Sequence, residues 1–386
     1  MPDAVARTLD LLARLVAFDT ESTKSNLPLI EAVADYCRDL GVAVEIAPNR
    51  DGTKAALFLT VGPQIDGGVL LSGHTDCVPV TGQAWTSDPF TLREADGRFY
   101  GRGTCDMKGF DALALAMIPE FQAARLSRPI HIILSYDEEL TCLGPMDLIA
   151  RFGADLPRPG VAIVGEPTLL QVADTHKSVC TYRTTVHGVE AHSAKPKLGA
   201  NAILGACDLV VELDRIGRRF EAEPDPTGRF DPPYSTVHCG EIHGGTARNI
   251  LARRCDISWE YRGLPEAPLD LARRAFDAYA EEEALPRLNR FHAGGRIDTV
   301  TEVEVPGLRA EPGSAAEVLA LHLARSNSTV AVPFATEAGR FQAAGIPTVV
   351  CGPGSIDQAH QPDEFIARSQ IEHGIAFMRR LVEACS

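Results

Sequence analysis

Residues 130–139 read IHIILSYDEE, a short apolar run that ends on three consecutive carboxylates. Because the run is short, apolar and bounded by charged residues, it predicts a buried strand over residues 130–136. Three similar runs lie elsewhere in the first half of the chain, at residues 55–61, 68–72 and 160–165. The pattern of residues 111–123 is helical. Buried strands that alternate with helices predict an α/β fold with a mostly parallel sheet.

The middle of the chain has a different pattern. Apolar residues alternate with polar ones in three segments that predict half-exposed strands, at 179–186, 236–242 and 255–262. Two helical stretches accompany them, at about 201–216 and 269–283. The α/β pattern resumes with a helix at 315–324 and a buried strand at 347–351. We therefore expect a smaller α+β domain over residues 179–300, inserted between the two parts of a larger domain, residues 1–178 and 301–386.

Composition and charge exclude several classes of function. The 386 residues are too many for one ordinary core, and 37 basic residues against 52 acidic ones give a formal charge of -15. Such a surface repels phosphate backbones and anionic lipid, so we expect neither nucleic-acid nor membrane binding. No segment has the apolar length of a membrane span, and the N-terminus lacks the pattern of a signal peptide, so a cytoplasmic protein is expected. The ten cysteines form no C-x-x-C pair, which argues against a thiolate zinc site.

Residue types that bind metals follow several of the predicted strands. In open α/β sheets, functional groups collect just past the carboxyl ends of the strands. The candidates are His74 and Asp76 after one strand, Glu138 and Glu139 after another, Glu166, His360, and Asp106 in the loop 101–109 before a helix. A single acidic residue at a strand end is more often a helix cap or a turn residue. The adjacent carboxylates of Glu138 and Glu139 instead favour a nearby cation, because their mutual repulsion at a buried strand end otherwise costs free energy.

Imidazoles combined with carboxylates make a donor set that suits Zn²⁺ and can also hold Mn²⁺ or Co²⁺. One zinc ion needs only three or four ligands, and the chain offers more candidates than that. The surplus indicates two metal ions that share one bridging carboxylate.

Six segments carry a resemblance to a known family: SGHTDCVPVTGQAW (72–85), GRGTCDMKGF (101–110), SYDEELTCLG (135–144), VGEPT (164–168), GVEAHSAKP (188–196) and GPGSIDQAHQPDEF (352–365). In order and spacing they resemble the M20 metallopeptidases, and within that family they are most similar to the acetylornithine deacetylases. The resemblance extends from about residue 70 to the C-terminus. It implies a catalytic domain of aminopeptidase type with an inserted lid and dimerisation domain.

The resemblance implies a role for each candidate ligand. His74 and Glu166 would bind the first metal ion, and Asp76 would orient the His74 ring. Glu139 and His360 would bind the second ion, with Asp106 bridging both. Glu138 would be the general base, which takes a proton from water and passes it to the departing amine.

The resemblance also assigns residues of the inserted domain. His192 would stabilise the oxyanion from the other subunit of a homodimer. Asn249 and Arg262 would hold the carboxyl end of the substrate, because an arginine can bind a carboxylate through two hydrogen bonds. Thr336 and Glu337, in the segment ATEAGRF (335–341), would line the pocket.

The expected reaction is the hydrolysis of N2-acetyl-L-ornithine to ornithine and acetate, a step of arginine biosynthesis, with two divalent ions, zinc first and cobalt or manganese as substitutes. A succinyl-diaminopimelate desuccinylase is the strongest alternative within the same chemistry. A dipeptidase or another deacylase of N-acylated amino acids, such as one that acts on acetylcitrulline, also stays open. A catalytically silent relative that binds only a metal or a metabolite is disfavoured, because all six core positions are present.

Overall fold

The structure is a computed structural model that describes residues 3–386, so the first two residues of the predicted catalytic segment lie outside the described residues. The chain divides into two compact units. Unit 1 runs to Thr175 and resumes over Leu308–Ala331 and Thr336–Ser386, and unit 2 comprises His176–Gly307 and Val332–Ala335. The two main unit boundaries therefore lie after residues 175 and 307, whereas the sequence prediction places them after residues 178 and 300.

The elements follow one another along the chain. The first part of unit 1 contains α1 (Ala4–Val16), α2 (Leu27–Asp39), β1 (Val44–Pro48), β2 (Ala55–Val61), β3 (Val69–His74), β4 (Arg93–Ala95), β5 (Arg98–Tyr100), α3 (Lys108–Ala116), α4 (Ile118–Ala123), β6 (Ile130–Ser135), α5 (Met146–Ile149), β7 (Val161–Pro167) and β8 (Val172–His176). Unit 2 contains β9 (Val179–His187), α6 (Ala202–Glu221), β10 (Thr236–Gly244), β11 (Arg254–Arg262), α7 (Leu271–Tyr279), a π-helical turn (Ala280–Ala284), α8 (Leu285–Leu288) and β12 (Arg296–Val305). The remainder contains α9 (Ala315–Ala324), β13 (Thr329–Val332), α10 (Ala338–Ala343), β14 (Thr348–Gly352), β15 (Phe365–Ala367) and α11 (Arg368–Cys385).

Unit 1 is built on an eight-stranded sheet with the order β1-β2-β6-β3-β7-β14-β8-β13. The central strands β6, β3, β7 and β14 are parallel to one another, and Leu71 of β3 lies between Ile132 of β6 and Ile163 of β7. Strand β2 is antiparallel to both β1 and β6, and β8 is antiparallel to β14. The predicted α/β fold with a mostly parallel sheet is confirmed. Because the central strands are parallel, their carboxyl ends lie at the same edge of the sheet.

The central strands are largely apolar because every residue of β3, β6, β7 and β14 is buried. The prediction of one continuous helix over residues 111–123 was wrong. Helix α3 ends at Ala116, and α4 begins at Ile118 with Pro119 in its first turn. A proline has no backbone N–H to donate to the preceding turn, so a single helix through this point loses a hydrogen bond.

Unit 2 contains a four-stranded antiparallel sheet with the order β10-β11-β9-β12. Its core includes Tyr182, Trp259 and Phe276, and the Trp259 ring packs at a tilt against the other two, at centroid distances of 4.2 and 4.8 Å. Buried residues alternate with more exposed ones along β9 and β11, in agreement with the alternation of the sequence. Strand β12 is mostly exposed and crosses the predicted boundary at residue 300. Within residues 3–386, no helix combines the length and the apolar composition that crossing a membrane requires.

Candidate metal centre

The predicted ligands of unit 1 lie together at the carboxyl edge of the parallel strands. His74 is the last residue of β3, Glu138 and Glu139 follow β6 in a tight turn, and Glu166 lies near the end of β7. Asp106 lies in the loop before α3, and His360 lies in the segment between β14 and β15. Distant parts of the sequence meet here because the parallel sheet aligns the ends of its strands.

Asp106 lies between the two imidazoles. Its Oδ1 atom is 3.1 Å from Nε2 of His74, and its Oδ2 atom is 3.2 Å from Nε2 of His360. Glu166 approaches His74 Nε2 to 3.7 Å, and Glu139 approaches His360 Nε2 to 3.1 Å. The Asp106 carboxylate thus lies between the donor atoms of His74 and Glu166 on one side and those of His360 and Glu139 on the other. A bridging ligand requires this arrangement.

The distances between donor atoms fit divalent metal ions. Four ligands at 2.0–2.1 Å from a tetrahedral Zn²⁺ lie about 3.3 Å from one another, close to the separations around Asp106. The Nδ1 atom of His74 lies 2.9 Å from the backbone carbonyl of Asp76, which can only accept, so Nδ1 carries a hydrogen and Nε2 is the atom that meets the carboxylates. Within the described chain, Glu166 Oε1 is buried and has no hydrogen-bond partner. A cation near His74 would satisfy this oxygen.

Two overlapping groups of donor atoms are close enough to hold an ion, but they share His74 and therefore cannot both be occupied through its Nε2 atom. Atoms of His74, Asp106 and Glu139 form one group, and atoms of His74, Glu138 and Glu166 form the other, each within 4.8 Å of one another. Glu138 Oε2 lies 4.0 Å from His74 Nε2, so the predicted general base is beside the position of the cation.

The electrostatics of the centre also favour a cation. Burial raises the pKa of Glu138 and of Glu166 well above the ordinary value, and the neighbouring carboxylates add to this effect. Hydrogen bonds to Asp106 and Glu139 raise the pKa of His360 to about 10. The pKa of His74 is also raised, so protons on both imidazoles offset part of the clustered negative charge. Metal ions would replace these protons and offset the same charge.

Asp76 connects the first imidazole to the turn that carries both glutamates. Its carboxylate accepts the backbone N–H groups of Glu138 at 3.2 Å and Glu139 at 3.3 Å, and the hydroxyl of Ser22 at 2.7 Å. Its Oδ1 atom is 3.5 Å from His74 Nδ1. Asp76 therefore fixes the position of the glutamate turn in addition to lying beside the ring that it was predicted to orient.

Two residues that support this turn, Ser22 and Lys54, were not predicted from the sequence. Besides the Ser22 hydroxyl on Asp76, Lys54 pairs with the carboxylate of Asp137 and donates to the backbone carbonyl of Ser22. Both residues precede residue 70, where the family resemblance begins. No motif therefore signalled them, and only the fold brings them to the site.

Thr336 and Glu337 were predicted to line the pocket, and the structure shows the surroundings of both side chains. Both side chains are buried in unit 1, and both oxygens of Glu337 are engaged by hydroxyl groups of the sheet, Ser72 at 2.5 Å and Ser135 at 2.7 Å. The Thr336 hydroxyl accepts the N–H of Ala338 at 3.0 Å, at the start of α10. These contacts make Glu337 a support beneath the strand ends, because its carboxylate has no free oxygen for a substrate.

In unit 2, the predicted substrate residues form two separate sites. His192 pairs with Ile250 in an isolated bridge, and the N–H of Ser193 donates to the Asn249 carbonyl at 3.0 Å, so His192 and Asn249 are neighbours. Arg262 ends β11, whose other end follows the Asn249 loop. At about 3.4 Å per residue, the ends of this nine-residue strand lie about 27 Å apart. Arg262 pairs there with Glu260 through two hydrogen bonds of 3.0 and 3.2 Å.

An α/β unit with imidazoles and carboxylates gathered at the carboxyl ends of parallel strands is typical of metal-dependent hydrolases. The chain belongs to peptidase family M20/M25/M40, whose model matches residues 70–384. Enzymes of this family depend on metal ions and cleave amide bonds, so the substrate is an acylated amino acid or a peptide.

Individual relatives agree with this assignment. The chain is 36% identical over 372 residues to an acetylornithine deacetylase of Shigella sonnei, an alignment that covers 94% of this chain and 92% of the relative. Its fold is similar to that of aminopeptidase PepT from Bacillus cereus, with a TM-score of 0.76, 20% identity and 98% coverage of both chains. It is also similar to the M20 family metallo-carboxypeptidase Sso-CP2 from Sulfolobus solfataricus, with a TM-score of 0.75, 15% identity, and coverage of 97% of this chain and 98% of that chain.

Proposed function

We propose that this chain is a two-metal deacylase that hydrolyses the acetyl amide of N2-acetyl-L-ornithine and so supplies ornithine for arginine biosynthesis. The observation that carries the two-metal part is the position of Asp106, with one carboxylate oxygen on each of two imidazoles. The substrate part rests on the 36% identity with an acetylornithine deacetylase over 94% of the chain.

In this proposal His74, Asp106 and Glu166 hold one divalent ion, and Asp106, Glu139 and His360 hold the other. Bound zinc ions would supply Lewis acidity, which polarises an amide carbonyl and makes water more acidic.

Glu138 performs the proton transfers. Its carboxylate lies beside the donor atoms of the first ion, and its backbone is fixed through Asp76. From this position it takes a proton from the attacking water and delivers that proton to the nitrogen of the departing amine. Its buried surroundings favour the protonated form that the second step needs.

We also propose that the enzyme is a homodimer in which each subunit completes the site of the other. Arg262 ends β11 about 27 Å from Arg254, the end of the strand that follows the Asn249 loop, so we infer that His192 and Asn249 cannot hold one small substrate together with Arg262 of the same subunit. A two-fold dimer solves this problem, because one group then comes from each subunit. Edge strand β10 is mostly exposed, and α6 exposes Leu204 and Val211, which gives a second copy a surface to cover.

Arg262 and Asn249 are proposed to bind the carboxyl end of the substrate, and His192 the oxyanion. The Arg262 side chain is 39% exposed, and its guanidinium already binds the carboxylate of Glu260 through two hydrogen bonds. A substrate carboxylate would compete for the same donors.

A substrate comparison tests the proposed reaction. The zinc- or cobalt-loaded protein is assayed for amine release from acetylornithine, acetylcitrulline, acetylmethionine and succinyl-diaminopimelate. We expect the highest kcat/KM with acetylornithine, and loss of turnover in Glu138→Gln and after chelation. Preference for the succinyl substrate would instead identify a desuccinylase. No turnover of any compound by the metal-loaded protein would refute the deacylase proposal.

Mixing two inactive variants tests the shared site. In a dimer of Glu138→Gln with His192→Ala, one of the two sites receives an intact Glu138 and an intact His192 if the histidine acts across subunits. After random exchange of subunits, the mixture should recover about one quarter of the wild-type activity. A histidine that acts within its own subunit predicts no recovery, because every site then contains one defect.

A further inference from the structure

One buried carboxylate next to the predicted metal ligands, that of Glu364, has no part in the proposed mechanism. Glu364 is only 1% exposed, and its Oε1 atom accepts the N–H groups of Cys105 at 2.8 Å and Asp106 at 3.0 Å. Its Oε2 atom accepts the N–H of Gly103 at 3.0 Å and the Arg102 guanidinium at 2.7 Å. Four donors of the loop before α3 therefore point at one carboxylate.

The same network reaches the segment that carries His360. Arg102, also 1% exposed, donates to the side-chain oxygen of Gln83 at 2.6 Å and to the backbone carbonyl of Gln361 at 3.4 Å. The side-chain amide of Gln83 in turn donates to the backbone carbonyl of His360 at 2.9 Å. Glu364 itself is four residues from His360 in the chain. One network thus holds the backbones of Asp106 and His360.

We propose that Glu364 is a positioning residue that sets Asp106 and His360 relative to each other and so determines how tightly the second divalent ion binds. The inference rests on the proposed two-metal site. The side-chain hydrogen bonds of Glu364 are to Arg102 and to backbone N–H groups of the loop before α3, so it acts through the backbone N–H of Asp106 and through Arg102 and Gln83. In the proposed arrangement, two of the three ligands of the second ion depend on this network, Asp106 and His360. For the first ion only Asp106 depends on it.

The chemistry of the network requires a carboxylate at position 364. A carboxylate only accepts hydrogen bonds and has about four acceptor positions, all of which are used here. A glutamine has the same shape, but its NH₂ group would face two donors in either orientation. Glu364→Gln therefore keeps the volume of the side chain and breaks half of the network.

Metal titration of the full-length protein tests the inference. Metal-free wild type and Glu364→Gln are titrated with Zn²⁺ in competition with a chromophoric chelator. Loss of a residue that positions a metal ligand typically weakens metal binding by about 10–100-fold. We expect a change of this size for the second equivalent of zinc, and a smaller one for the first.

Two further variants make the result specific. Asp363→Asn is the matched control, because Asp363 is the adjacent carboxylate and binds only Thr86 in the described contacts. It should titrate as wild type. Gln83→Ala removes the contact to His360 from a partly exposed position, and it should weaken the second equivalent even if Glu364→Gln does not fold.

The outcomes separate the inference from the proposed function. Wild-type uptake of a single equivalent would refute the two-metal proposal, and the inference with it. Two equivalents in the wild type, with unchanged affinities in Glu364→Gln and Gln83→Ala, would refute the inference alone. Equal weakening of both equivalents would also refute it, because the network would then act on the whole centre.

Discussion

The buried histidine of β6 provides a quantitative prediction for the pH dependence of stability. His131 is buried, and its Nε2 atom donates to the Gly67 carbonyl at 3.1 Å while Nδ1 accepts from the Thr60 hydroxyl at 2.9 Å. These partners satisfy the neutral ring, which also stacks on Phe58. Burial lowers the pKa of His131 from 6.5 to about 4 in the folded protein.

The direction in which pH changes the free energy of unfolding follows from proton binding. Between pH 6.5 and 4 the unfolded chain binds a proton at this position and the folded protein does not, so stability falls as the pH falls through this window. At about 1.4 kcal/mol per pH unit, the whole window corresponds to about 3 kcal/mol. Between pH 7 and pH 5 the expected loss of unfolding free energy from His131 is about 2 kcal/mol.

Urea denaturation of the metal-free protein at pH 7 and pH 5 measures this loss, because chelation removes the pH dependence of metal binding. His131→Gln should lose about 2 kcal/mol less than wild type between the two pH values. His176 is buried in unit 2, and its pKa is also lowered to about 4 by burial, but it affects both proteins alike. His373→Gln, a change at an exposed histidine, should behave as wild type. Equal losses in wild type and His131→Gln would contradict the reasoning.

Three other substitutions have expected effects. Asp76→Ala removes the acceptor of two backbone amides beside His74. It should weaken metal binding by about 10–100-fold, measured by competition with a chelator. An unchanged affinity would refute the role of Asp76 in positioning the metal ligands. Cys142→Ala removes a thiol 3.4 Å from Glu138 Oε1, and it should lower kcat about two- to tenfold at constant KM. Cys142→Ser should restore part of the lost rate. Equal rates for both variants would count against a role of this contact. Gly165→Ala places a methyl group 2.2 Å from the Phe110 ring and should cost about 1–3 kcal/mol in urea denaturation, whereas an unchanged midpoint would show that the ring moves freely.

The fold of unit 1 could be predicted because its central strands are buried on both faces. Strands such as β2 and β6 have no exposed face to accommodate polar residues, so the sequence marks them as apolar runs with clear ends. Strand β12 was missed for the opposite reason. It forms an edge of its sheet and is mostly exposed, so charged residues interrupt its apolar pattern.

The candidate site was predictable only in its residue types. The segments around His74, Asp106 and His360 were recognisable, but no sequence pattern gives the separation of atoms that lie hundreds of residues apart. The role of Glu364 was hidden within the same segment as His360, because an acidic residue in a polar stretch has no sign of burial. The burial of Glu337 could not be predicted, because a carboxylate beneath a sheet edge cannot be distinguished by sequence from one above it.

The bonds of Asp76 have a consequence for engineering. Since one carboxylate holds the amides of both glutamates and lies beside the first imidazole, unit 1 leaves little freedom to reshape its reactive groups one at a time. The loops around His192 and Asn249 are exposed and make few such contacts. A library intended to alter substrate preference should therefore vary the neighbours of His192 and Asn249 within residues 190–195 and 245–250, and it should keep these two residues and the strand ends intact.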